Sequence, residues 1–337
     1  MTIVRAKQTF AMVGAIMAAA IVYAALPPSV ASAEEQIRLG HNRVWSNPAL
    51  IVPLATGAFD KVGVKVVERQ FNNPADVITA IASGDLDVGV VAPTNAFTAV
   101  EKGVKIRAVA LLQGRNNPPI AYIARTDSGI NSIADLRGKK IGINNYGGNY
   151  DIFLRYWLTK NGLDPKKDVS IILVPIPAAL PSLINRQSDV VAMAAFARGI
   201  ADQQYPGQTK AVFSYDDVLK DGTGAPDHNS MMLVSSTNYI AQSRGTLVKF
   251  LEEYLRSVRA MNQDPKKAVA DWAKVMNSKA ILNLPAPPTV RSDGELYMRS
   301  LQFEADEALR FGYLEKAIDV RSFVDDGPVK EAAARLK

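Results

Sequence analysis

Two histidines and no cysteine bound the chemistry open to this 337-residue chain. Without thiols there can be no disulfide framework, thiolate zinc site, cysteine nucleophile or lipid-modified cysteine. His41 and His228 leave little material for a histidine-rich metal site, and neither a Gly-x-Ser-x-Gly elbow nor a His-Glu-x-x-His helix occurs. A general base would have to be one of these histidines, paired with a carboxylate such as Asp151. The glycines of Asn144–Asn149 lack the dinucleotide spacing, and no phosphate-loop Lys-Ser pair follows, so no cofactor and no metal are expected. What the sequence offers instead is a set of polar junctions that suit binding. They are Asn42, Arg43 and Trp45; Pro93, Thr94 and Asn95; Asn145, Tyr146, Gly147, Gly148 and Asn149; and Phe196 with Arg198.

Each junction falls where a β-rich run gives way to a helical one. There, strand C-termini meet helix N-termini, whose unpaired N–H groups and positive dipole end receive an anionic oxygen. Gly147 and Gly148 would let backbone amides approach a ligand closely, although they also suit an ordinary turn. Arg43, Arg115 and Arg198 could pair bidentately with a carboxylate or sulfonate. Trp45, Tyr146, Tyr150 and Phe196 could wall an organic body. The plainer alternatives are helix capping for Asn47 and Thr94 and core packing for Phe97.

The elements that must position these residues alternate strand and helix throughout, which predicts an α/β fold with parallel sheets. Strands are expected at Ile37–Gly40, Gly63–Val67, Leu86–Val91, Ile106–Leu112 and Ile120–Arg125, with helices starting at Ser46-Asn47-Pro48, Asn73-Pro74 and Pro93. A second unit follows, with strands ending near Asn144, at Val169–Val174 and at Val190–Ala194, and helices over Tyr150–Asn161 and Ala178–Arg186. Ile81–Val88 and Leu183–Val190 share a helix end, a polar turn and an Asp-Val entry into a strand, so the architecture reads as duplicated. A strand at Met231–Ser236 precedes a long helical tract to Asn262 and a further helix over Gly294–Phe311.

Residues 1–33 read as an export leader. Arg5 and Lys7 precede an apolar run from Phe10 to Leu26, then Pro27-Pro28 and a small-residue cleavage pattern at Ala31-Ser32-Ala33. The net charge of +6 is mild and spread in isolated lysine doublets, with no basic run interleaved with aromatics, so nucleic acid is not an expected partner. A periplasmic protein without a lipid anchor is the expectation.

Three features occur in order: Leu39-Gly40 before a polar loop, Gly84-Asp85-Leu86-Asp87-Val88-Gly89 leading into Ala92–Ala96, and Ile133-Ala134-Asp135-Leu136-Arg137-Gly138-Lys139-Lys140-Ile141-Gly142. Together they resemble the periplasmic substrate-binding components of ABC importers in the nitrate/taurine/aliphatic-sulfonate group, whose superfamily includes binders similar to those of thiamine pyrimidine precursors. The resemblance implies a two-lobe, type II periplasmic binding protein fold with ligand in the interlobe cleft. Lobe one would be 36–123 plus 231–337 and lobe two 126–213, with hinge crossovers near 123–126 and 213–232. It implies a monomeric, non-enzymatic receptor that hands a small, anionic organic solute to permease subunits in the inner membrane, served by a cytoplasmic ATPase. An enzyme on the same bilobal fold, pyrimidine-forming or dehydratase-like, and a ligand sensor for a membrane receptor are the alternatives. Where sulfonate-type relatives carry a Trp-Asp-Pro-like segment this chain reads Met193-Ala194-Ala195-Phe196, a departure that argues against taurine.

Overall fold

Edge and central strands can be told apart by how their side chains are buried. The computed structural model describes residues 35–41, 47–71, 74–284 and 286–337, so the leader expected over 1–33 lies outside the described residues. The strands are β1 (Glu35–His41), β2 (Val64–Gln70), β3 (Val88–Val91), β4 (Ile106–Gln113), β5 (Ala121–Arg125), β6 (Lys140–Ile143), β7 (Ser170–Leu173), β8 (Val190–Met193), β9 (Thr209–Ser214) and β10 (Met231–Ser236). They form two five-stranded sheets, ordered β2-β1-β3-β10-β4 and β7-β6-β8-β5-β9. The all-apolar β3 and β8 are buried at every position in the sheet centres, whereas β2 and β7 keep exposed residues at the edges.

The helices are α1 (Pro48–Ala55), α2 (Ala58–Lys61), α3 (Pro74–Ala82), α4 (Pro93–Glu101), α5 (Asn149–Lys160), α6 (Ile176–Ile184), α7 (Ala195–Gln204), α8 (Tyr215–Thr223), α9 (Thr237–Gln242), α10 (Arg244–Gln263), α11 (Pro265–Val275), α12 (Met298–Arg310), α13 (Val320–Phe323) and α14 (Gly327–Arg335). The tract expected as one helix to Asn262 is broken at Ser243 into α9 and α10. The last long helix begins at Met298 rather than Gly294, and it packs against α4 as well as α5 and α8.

The duplication is visible in hydrogen bonds as well as in strand order. The Arg38 backbone N–H donates to the Asp87 carboxylate at 2.8 Å and the Lys140 N–H to Asp189 at 2.9 Å, the same pairing displaced by 102 positions. The same displacement relates Gly40 to Gly142, where a Cβ would meet Leu86 Cδ1 at 2.2 Å and Val174 Cγ2 at 2.8 Å respectively. Each aspartate fastens the start of its unit's first strand to the turn that feeds its third.

Two strands run against the parallel majority: β10 is antiparallel to β3 and β4, and β5 to β8 and β9. Ala121–Arg125 belongs to the second sheet, not to the end of the first unit as its place in the chain order suggests. The first crossover is Gly114–Ile120, earlier than the expected 123–126, because Pro118 and Pro119 have no N–H to continue the ladder. The second passes through Tyr215–Ser230, between β9 and β10.

Candidate functional site

Among the helices that begin without a side-chain cap are α4 after Ala92, α5 after Gly148 and α7 after Ala194. All three N-cap residues line one cavity of about 440 Å³, with α4 coming from the first sheet and α5 and α7 from the second. An alanine or glycine at an N-cap offers no oxygen to the first-turn N–H groups, so these donors and the positive ends of three helix dipoles converge on the same space. A volume of this size suits a small organic molecule.

Of the residues expected at the site, Thr94, Asn95, Asn145, Gly148 and Asn149 line this cavity. Thr94 and Asn95 lie in the first turn of α4 and Thr94 makes no cap. Asn47 precedes α1 but does not cap it either; its Nδ2 donates to the Leu112 carbonyl, fastening that helix to β4. Pro93 is buried at the first position of α4 and is absent from the lining. Tyr146 is also outside it, half-exposed, its hydroxyl donating to the Ile171 carbonyl at 3.1 Å. Asn42, Arg43 and Trp45 lie outside the described residues, and for Phe196 only its backbone, in the first turn of α7, is described.

The two remaining arginines are occupied at the crossovers instead of the cavity. Arg115 Nε donates to the Asp216 carboxylate at 2.8 Å, tying the first crossover to α8 in the second, and this bond raises the guanidinium pKa. Arg198 donates to the Pro119 carbonyl at 3.2 Å, and burial pulls its pKa below the ordinary value. The crossovers also run side by side through backbone bonds from Ser230 N–H to the Gln113 carbonyl at 2.7 Å and from Tyr215 N–H to the Ile120 carbonyl at 2.9 Å. This brings Gln113, Asn116, Ile120, Ser230 and Met231 to the cavity wall, none of which the junction rule selects. Their available signal was the polar stretch Gln113-Gly114-Arg115-Asn116-Asn117-Pro118-Pro119 between two apolar runs, which only a correctly placed crossover would have turned into a wall.

The loop before α5 is held from behind. Asp151 is fully buried and accepts from Gly147 N–H at 2.9 Å, from Arg155 Nε at 2.7 Å and from the Tyr313 hydroxyl. Gly147 has φ +69, and a Cβ there would lie 2.8 Å from the Tyr313 ring, so Gly147 is set by backbone shape and packing and does not line the cavity. Tyr313 also sits just ahead of Glu315 and Lys316, whose N–H groups bond the Glu101 carboxylate at the end of α4 at 2.6 and 2.7 Å. The segment 313–316 thus links the two helices whose starts face the cavity.

The most perturbed acid and base lie elsewhere. Burial lowers the His228 imidazole to about 4 and raises the Glu304 carboxyl to about 8. His41 lies against Glu68 at 2.8 Å. Neither histidine nor Asp151 lines the cavity, so the acid–base pairing open in the sequence is not assembled there. Among the described residues no group of His, Asp and Glu could hold a metal ion.

The family described as NMT1/THI5 like matches residues 49–268. The chain belongs to this family. Its fold is that of periplasmic binding proteins: the aliphatic sulphonate binding protein SsuA of Escherichia coli superposes with a TM-score of 0.70 at 16% identity, over 86% of this chain and 92% of that one. By sequence, the nitrate/nitrite binding protein NrtA of Synechocystis is 25% identical over 219 residues, 58% of this chain and 47% of its own length. The 4-amino-5-hydroxymethyl-2-methylpyrimidine phosphate synthase of Schizosaccharomyces pombe is 31% identical over 134 residues, 40% of this chain and 37% of its own. The chain spans about half the length, or less, of the curated relatives it matches. The family therefore holds binding proteins and an enzyme on related sequences.

Proposed function

We propose that this family member is the extracytoplasmic solute-binding component of an ABC importer, capturing a small organic solute in the cavity between its two sheets. The observation that carries the reading is the convergence of three uncapped helix starts, from both sheets, on one space. The two sheets would be the two lobes, with Gly114–Ile120 and Tyr215–Ser230 as their hinges, and closure around the solute would create the shape that inner-membrane permease subunits recognise. Residues 1–33 would be the export leader, cleaved after Ala33, and the mature monomer would work in the periplasm. Among the described residues no helix is long and apolar enough to cross a membrane.

A binder rather than an enzyme is favoured because His41, His228 and Asp151 all lie away from the cavity wall. The test is a thermal-shift screen of the refolded chain against sulfonates, carboxylates, nitrate, pyrimidines and amides. A true solute at about 100 times its Kd stabilises by roughly 2.7 kcal/mol and is recovered unaltered after incubation. Chemical conversion of the stabilising compound would refute the binding reading, as would the absence of any stabilising compound in the screen.

A further inference from the structure

Six side-chain amides line the cavity: Asn95, Gln113, Asn116, Asn144, Asn145 and Asn149. None of its described lining residues carries a charge. Two of these amides have a buried atom unused. Asn116, only 5% exposed, accepts from Gln113 Nε2 through its Oδ1 at 3.3 Å, which leaves its Nδ2 donor without a partner. Asn144, on the loop before α5, has a buried Oδ1 acceptor without one. An unpartnered buried polar atom is costly, and a ligand that satisfies both removes that cost.

Resting on the solute-binding reading, we propose that the solute carries an amide edge, a hydrogen-bond donor beside an acceptor, as in a primary carboxamide or a lactam. The donor of that edge meets Asn144 Oδ1, and its acceptor meets Asn116 Nδ2 and the helix starts. An acceptor-only anion such as nitrate leaves Asn144 Oδ1 unsatisfied. It also finds no described cationic side chain in the wall to offset its desolvation. The apolar part of the wall, including Ile120, Ala179, Ile176 and Met193, receives the remainder of the molecule.

The test uses matched probes on the refolded chain: nicotinamide, 2-pyridone and benzamide against nicotinate, methanesulfonate and nitrate, by isothermal titration. At least one amide-type probe should bind tenfold or more tightly than every acceptor-only probe. Asn144→Leu and Asn116→Leu should each weaken it about fivefold, the loss of one neutral hydrogen bond. Asn144 is in a half-exposed loop and leucine is close to asparagine in shape without adding a charge, so unchanged far-UV spectra keep both variants interpretable. Tighter binding by an acceptor-only probe overturns this inference and leaves the solute-binding reading standing. So does amide binding that neither variant alters. Silence from all six probes also overturns it, while the wider screen above still decides whether the chain binds a solute at all.

Discussion

Replacing Tyr313 by phenylalanine isolates the contact that holds the α5 loop in place. The ring remains, and with it the contact that excludes a Cβ at Gly147, so only the hydroxyl donor to Asp151 is lost. A hydrogen bond to a charged group contributes about 1.5–3 kcal/mol. Tyr313 is only partly buried and Asp151 keeps two other donors, so about 1–2 kcal/mol is expected at pH 7. Asp151→Asn should cost more, because it leaves the Arg155 guanidinium without its buried counter-ion. If the contact is real, the double variant will be less destabilised than the sum of the singles by about 1 kcal/mol in urea denaturation. Burial, with Asp151 adding to it, pushes the Tyr313 hydroxyl up to about 12. A group raised in this way stabilises fully below its unfolded value of about 10 and loses that contribution as pH climbs from there through 12. The difference between wild type and Y313F should therefore be flat from pH 6 to 9 and shrink above pH 10. Strict additivity in the cycle, or a difference that grows with alkali, would refute the reasoning.

Asp87→Ala should cost about 2–3 kcal/mol and Asp189→Ala about 1 by urea denaturation. The Asp87 carboxylate takes both the Arg38 backbone N–H and its guanidinium at 2.8 and 2.9 Å, where Asp189 takes the Lys140 N–H at 2.9 Å. Arg115→Ala should destabilise by about 1–3 kcal/mol, discounted for its partial exposure, and Arg115→Lys should restore less than half, because an ammonium cannot match the two-pronged contact with Asp216. For pH dependence, Glu304 is raised to about 8, so its contribution is full below about 4.5 and falls as pH rises to 8. His228 is lowered to about 4, so its contribution is full above about 6.5 and falls as pH drops to 4. The two slopes oppose each other between about pH 4.5 and 6.5, where stability should be flat, and each is at most about 1.4 kcal/mol per pH unit. Glu304→Gln should abolish the loss from pH 6.5 to 8 in denaturation midpoints, and an unchanged slope would contradict the assignment.

Alternation and punctuation are local properties, and what they govern was legible. The all-apolar Val88–Val91 and Val190–Met193 announce central strands, and Pro93 announces the start of α4. The repeat of Asp-Val after a helix end announces the duplication because each aspartate has a structural task that only its type performs. Partnership between distant strands is not local. Nothing in Ala121–Arg125 itself tells which sheet it joins, since its neighbours β8 and β9 are set by the path of about 90 later residues. Misplacing that strand moves the passage between the sheets, and with it Gln113 and Asn116 leave the expected wall. Arg115 and Arg198 illustrate the opposite error. Their type fits an anion, but their carboxylate and carbonyl partners are supplied by the fold itself.

The displacement of 102 positions that maps Asp87 onto Asp189 also maps Thr94 onto Phe196 and Asn95 onto Ala197. The aspartates that pin strands recur in both halves, while the paired positions at the two helix starts are polar in one half and apolar in the other. The three uncapped starts at the cavity offer donors to any solute with an acceptor atom. Discrimination has to come from groups the architecture does not dictate. In this chain those are Thr94 and Asn95 on one side, the apolar α7 start on the other, and the amides of Asn116 and Asn144 that the scaffold leaves unsatisfied. A neutral amide can donate and accept but cannot repay the desolvation of a full charge as a guanidinium does, and Arg115 and Arg198 are spent on Asp216 and Pro119. The specificity of the site therefore follows from which polar atoms the fold consumes and which it leaves over.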